Sequence, residues 1–158
     1  MSIDLQFSTA ELNRLGARPE ALAKLNEQDQ ADLLEGIGAL VESQTHRRIR
    51  DEKTGPDGTP WDGWSDGYRN TRHGGNSLLM GEGHLDDSIQ YLIEGDQVSV
   101  GSNLIYAAIH QLGGTPDMAP GPAAIPARPF LGLSQDDEQD VADLMEDFLA
   151  DQVKELAR

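Results

Sequence analysis

At 158 residues the chain is long enough to enclose one hydrophobic core without staples. With no cysteine it has no disulfide, thiolate metal site or thiol nucleophile. A formal net charge of -16, from 28 acidic and 12 basic residues, opposes general nucleic-acid binding, which depends on neutralising phosphates with Lys and Arg.

The opening MSIDLQFSTAELN lacks the basic flank and apolar stretch of a signal peptide, and no apolar run reaches membrane-spanning length. The expectation is a soluble protein made in the cytosol, with no membrane partner. Residues 1–28 read as a helical lead-in, because Leu12, Leu15, Leu22 and Leu25 sit among helix formers interrupted by Gly16 and Pro19. Asp29 is a candidate cap for a longer helix. In that helix Leu33, Ile37, Leu40, Val41, Thr45 and Ile49 recur on one side. It ends in HRRIR, where cations complement the negative end of the helix dipole. Arg47, Arg48, Arg50, Lys53, Arg69 and Arg72 form a central basic stretch, while the segment after Ser134 is dominated by Asp and Glu. Unlike charges at two places suit packing between copies, but charge alone favours the plainer reading of a solvated acidic helix and a basic loop with no partner.

Residues 51–76 have no sustained apolar period and many Gly, Pro, Asp and Asn, which predicts a long irregular loop. Such loops are uncommon in compact domains unless they work or are disordered. Trp61, Trp64 and Tyr68 all lie here, in a chain with only 5% aromatic residues. Each indole either anchors the loop to its own domain or meets a partner surface.

The stretch from Leu78 to Ser88 reads as helical. Ile89–Ile93 and Gln97–Ser102, separated by Glu94, Gly95 and Asp96, read as a hairpin. Alternation in the second run predicts Val98 and Val100 on a packed face, with Gln97, Ser99 and Gly101 on a wet one. From Leu104 to Leu112 helical spacing returns, with Ile105, Ala108, Ile109 and Leu112 as its apolar side and Gly113-Gly114 as its stop. Residues 115–129 hold Pro116, Pro120, Pro122, Pro126 and Pro129 and predict a stiff arm. Ile125–Leu131 can then be only an edge strand or a strand-like lead into the last helix. That acidic helix, over residues 135–157, is capped by Ser134 and carries Val141, Leu144, Met145, Phe148 and Val153 on its apolar side.

No constellation nominates chemistry. His46, His73, His84 and His110 fall on different elements with no ligand-pair spacing, which points away from a metal. Ser65, Ser77 and Ser102 lack a nucleophile elbow, and the glycines of GEGH and LGG match neither a phosphate loop nor a dinucleotide fingerprint. No cofactor is expected. The enzyme reading that survives as a rival is a hydrolase using His73 or His84.

Several phrases occur in order: PDGTPW, WSDGY, SLLMGEGHLDDSI, VSVGSNLIYAAIHQLGG and IPARPFLGLS. Over residues 30 to 135 this order resembles the phage virion morphogenesis family of Mu-like phages, related to tail completion proteins. The pairing of YAAIHQLGG with IPARPFLGLS is its specific part. The resemblance implies an α+β fold, a small mostly antiparallel sheet packed with helices. It also implies a virion protein of the head-tail interface or tail end, with no catalytic residues to carry over. The implied partners are copies of itself in a homo-hexameric ring and other phage neck and tail proteins. The net charge of -16 adds the expectation of an acidic lumen through which DNA passes without specific binding. A tail terminator, a head-side connector ring and a transient assembly chaperone are the alternatives. Candidate interface residues are Trp61, Trp64, Tyr106, His110, Arg128 and Phe130. Tyr106 and His110 fall four apart on one helical face, and Arg128 is held between Pro126 and Pro129. The arm packs either on its own domain or on the next subunit.

Overall fold

A computed structural model describes residues 1–64, 77–80, 83–118 and 125–156. Three strands, β1 (Ile3–Phe7), β2 (Gln90–Glu94) and β3 (Gln97–Ser102), form an antiparallel sheet in the order β1-β3-β2. The helices are α1 (Thr9–Arg14), α2 (Pro19–Ala23), α3 (Glu27–Arg47), α4 (His84–Ser88), α5 (Ala107–Leu112) and α6 (Gln135–Leu156). The fold is α+β. The hairpin is present, with Glu94 opposite Gln97 and Gly95 taking the positive φ of 61° that its two-residue turn requires.

The sequence reading missed β1. The alternation of Ile3, Leu5 and Phe7 with Asp4 and Gln6 is a strand signal, but the leucine-rich turns after it gave the whole lead-in a helical look. Because β1 pairs with one edge of β3 and β2 with the other, β3 is central, and its expected wet face is buried at Ser99 and Gly101. A Cβ on Gly101 would lie 2.1 Å from the Ile3 carbonyl oxygen, so β1 closes onto β3 only over a glycine.

Helix α3 starts earlier than expected. The Asn26 side chain, not Asp29, is the cap and accepts from the Asp29 amide at 2.7 Å. Leu33, Ile37, Val41, Thr45 and Ile49 are buried as expected, joined by Leu34. The helix crosses the sheet over Gly38, whose added Cβ would meet the Tyr91 ring at 2.8 Å and Val98 Cγ2 at 2.9 Å. Gly38→Ala should therefore destabilise the protein by about 1–3 kcal/mol through overpacking, although alanine favours a helix by roughly 1 kcal/mol. Urea unfolding decides this, and a gain in stability would contradict the close helix-sheet contact.

Beyond α3 the chain makes one wider turn, Arg48–Glu52, closed by the Lys53 amide on the Arg48 carbonyl at 2.9 Å. Lys53 itself takes a left-handed conformation, φ 56°. Of the helix expected over Leu78–Ser88, only His84–Ser88 forms. Leu78–Met80 is a turn with Leu79 at φ 60°, and residues 81 and 82 lie outside the described residues.

Helix α6 packs along α3 through Val141, Met145 and Leu149. Its cap is as expected, with Ser134 Oγ accepting from the Asp137 amide at 3.1 Å. Val153, placed in the apolar stripe from sequence, is 61% exposed. α5 departs further: Ala107 is its buried residue, while Ile105 is 91% and Leu112 72% exposed. Both ends of the expected apolar side therefore face out, while Ala108 and Ile109 are partly buried. Ile125–Leu131 belongs to no strand and leads into α6, and residues 119–124 of the arm lie outside the described residues. No helix among the described residues is long and apolar enough to cross a membrane.

Candidate interaction site

The C-terminal end of α3 is where arm, loop and last helix converge. Arg48 and Asp137 are both fully buried and pair through Arg48 Nη2 and Asp137 Oδ2, while Arg48 Nη1 donates to the Phe130 carbonyl at 2.8 Å. Arg47 Nη2 donates to the other Asp137 oxygen at 2.8 Å, and the Ser134 amide donates to Oδ2 at 3.2 Å. Gln44 Nε2 adds a bond to the Asp137 carbonyl at 3.2 Å. One carboxylate thus ties both arginines to the cap of α6. A buried charge is tolerated only when paired and hydrogen-bonded in this way.

Arg50 and Lys53 of the basic stretch are also engaged. Asp86, buried in α4, receives Arg50 Nε at 2.7 Å and faces His46 Nδ1 at 2.7 Å, so α3 and α4 are stapled by charge. The Lys53 ammonium reaches the Ile49 carbonyl and, at 2.6 Å, that of Leu78. Burial lowers its pKa. The expectation of a solvated basic loop holds for neither Arg48 nor Lys53, because each closes a gap between elements. Arg69 and Arg72 lie outside the described residues, as do Tyr68 and His73.

Four of the six candidate interface residues meet in one cluster. The Trp61 indole donates to the Pro129 carbonyl at 2.9 Å and is buried. Arg128, buried beside it, donates from Nε to the Asp62 carbonyl at 2.8 Å and from Nη2 to that of Gly63 at 3.1 Å. The Arg128 amide donates to the His110 carbonyl at 2.8 Å, and Phe130 is fully buried in the core. Trp64 is half-buried at the end of the described loop. Tyr106 is 41% exposed and meets the His110 ring edge to face at 5.7 Å. The loop and arm are therefore clasped to each other within one chain, and the proline-framed arginine grips the backbone carbonyls of Asp62 and Gly63.

Sequence reasoning missed Gln111. Its side-chain oxygen accepts from the Phe130 and Leu131 amides at 3.0 and 2.9 Å, and its nitrogen donates to the Leu131 carbonyl at 3.1 Å. A side-chain amide here replaces the partner strand that proline denies the arm. The available signal was a glutamine next to the Gly-Gly stop, which alone is weak.

His110 is a pH-sensitive element of this clasp. Its Nδ1 is buried without a hydrogen-bond partner, and burial, with Arg128 nearby, lowers its pKa. The unfolded state then binds the proton more readily. Its contribution to stability should be complete above about pH 6.5, the ordinary value, and be lost as pH falls from there through the lower folded value. His110→Gln should remove that part of the acid sensitivity, read by urea unfolding at pH 7.5 and 5. Equal pH dependence in both proteins would contradict the assignment.

Among the described residues no three His, Asp or Glu side chains are grouped to hold a metal ion. The geometry binds chain to chain: carbonyls, amides and paired charges lock three separate segments around α3.

The model of the phage virion morphogenesis family matches residues 10–150. The chain is 41% identical over 111 residues to the "Putative capsid assembly protein G" of Escherichia phage Mu, covering 68% of this chain and 71% of that protein. It is 40% identical over 70 residues to the Mu-like prophage FluMu G protein 2 of Haemophilus influenzae, covering 44% of this chain and 50% of that one. No solved structure matches. The match runs from α1 almost to the end of α6 and so takes in the ion-paired hub, the loop and the arm: the chain belongs to the phage virion morphogenesis family.

Proposed function

We propose that the chain is a structural component of a tailed phage, needed for tail completion and head-tail joining, and that it works without catalysing a reaction. The observation that carries this is the family match over residues 10–150. The geometry supports it, because the buried ionisable groups join segments of the chain to one another: Asp137 with Arg47 and Arg48, and Asp86 with Arg50 and His46. Copies form a closed ring with the rotational symmetry of the tail, a hexamer, in contact with neck and tail proteins. The acidic surface, -16 per copy, suits a lumen through which DNA slides without sticking.

A second reading comes from the phage Mu relative, whose name places it in capsid assembly. Infection with a phage lacking this chain separates the two. Joining predicts normal filled heads and separate tails in the lysate. Misshapen or missing heads would overturn it in favour of capsid assembly.

A further inference from the structure

The sheet has an apolar projection at one end and an apolar groove at the other. The projection follows the end of β3, where Ile105 is 91% and Leu112 72% exposed, with Tyr106 and Met118 also exposed. The groove, of about 250 Å³, lies at the hairpin end beside Asp96. Pro19, Leu22, Ala23 and Leu25 line it, and buried Leu12 and Leu33 lie beneath. That volume falls below the roughly 300–1,000 Å³ of small-molecule sites and suits inserted side chains. Six residues of β3 separate the two features by roughly 20 Å.

Charge says what occupies them. Each copy carries -16, and α6 is almost uniformly acidic, with Lys154 its one basic residue. Copies meeting through average surface therefore repel. Residues 103–118 contain a single formal charge, Asp117, and residues 1–26 are neutral, Asp4, Glu11 and Glu20 being balanced by Arg14, Arg18 and Lys24. Arg18 and Lys24, next in sequence to the lining residues Pro19, Ala23 and Leu25, are exposed and can receive Asp117 of a neighbour, with Asp96 the charged residue that lines the groove itself.

Resting on the ring-forming virion role above, we propose that the Ile105–Leu112 projection of one copy inserts into the Leu22–Leu25 groove of the next copy. Opposite ends of one sheet make this a head-to-tail contact, the kind that generates rings when the rotation closes. Burying Leu112 and Ile105 supplies the attraction, between two segments that each carry little net charge.

The absence of cysteine makes the test direct. Ala23→Cys and Leu112→Cys are introduced singly and together, both at exposed positions, and folding is checked by circular dichroism. Particles are assembled with the variants, their content of the chain is measured by mass spectrometry, and they are then oxidised. The contact is expected to give disulfide dimers when the two single variants are mixed, none with either alone, and a ladder ending in a closed ring with the double variant. Leu112→Lys should reduce incorporation about tenfold or more. Dimers from Leu112→Cys alone would mean a twofold contact and overturn the proposal. A chain present in particles yet never cross-linked removes this contact and leaves the virion role standing, whereas a chain absent from particles removes the role and the contact with it.

Discussion

Asp137→Ala should destabilise the protein by about 3–5 kcal/mol, the cost of leaving a buried charge without its partner. Arg48 is fully buried and would keep only the Phe130 carbonyl, while Arg47 would lose its inward partner and Ser134 the acceptor for its amide. Few proteins carry more than 5–15 kcal/mol of total stability, so a loss of this size should approach unfolding at 37 °C. Pairing the change with Arg48→Met should recover much of it, because the uncompensated charge is then gone as well. Urea unfolding of the single and double variants measures both effects. A loss below about 1 kcal/mol in Asp137→Ala would mean that water or another group compensates Arg48 and that the hub is not what joins α3 to α6.

Phe130→Ala should cost a similar amount, about 3–5 kcal/mol, as expected for emptying an aromatic site in a packed core. The ring has no exposed surface, and the backbone on either side is held by Gln111, Arg48 and the Trp61 indole through Pro129. Phe130→Leu, which keeps most of the volume, should lose less than about 1.5 kcal/mol. The comparison separates two roles for the arm. A residue serving only at a neighbour's surface would leave the isolated chain at full stability and weaken assembly alone. That outcome for Phe130→Ala would contradict the clasp within one chain.

Much of the fold was legible in the sequence because its signals are local. Periodic leucines and Ile37 marked α3, Ser134 marked the start of α6, and Gly95-Asp96 between alternating runs marked the hairpin. What failed depended on tertiary partners. Val100 is buried as expected, but the burial of Ser99 follows from the central place that β1, from the far end of the chain, gives β3. Ile105 and Leu112 have the spacing of a core face, yet Ile105 precedes the helix and the helix is anchored through Ala107, so periodicity alone misplaced both ends of that face. The candidate residues were recognisable as types: indoles in a polar loop and an arginine between prolines. Their partners were not, since Trp61 and Pro129 are 68 residues apart in sequence and Arg48 and Asp137 are 89 apart. Spacing along a chain carries no information about closure over such distances. Nothing in HRRIR distinguished the buried Arg48 from the exposed Arg50.

The claim that this family member is a lasting part of the joined particle is tested most directly by locating and counting the chain in purified mature virions. Quantitative mass spectrometry should find a fixed small number of copies per particle, a multiple of the ring's symmetry, and a tag fused to the chain should label the head-tail interface or tail end. Mature infectious particles devoid of the chain, from an infection that nevertheless requires it, would make it a factor that leaves before maturation and would contradict the structural role.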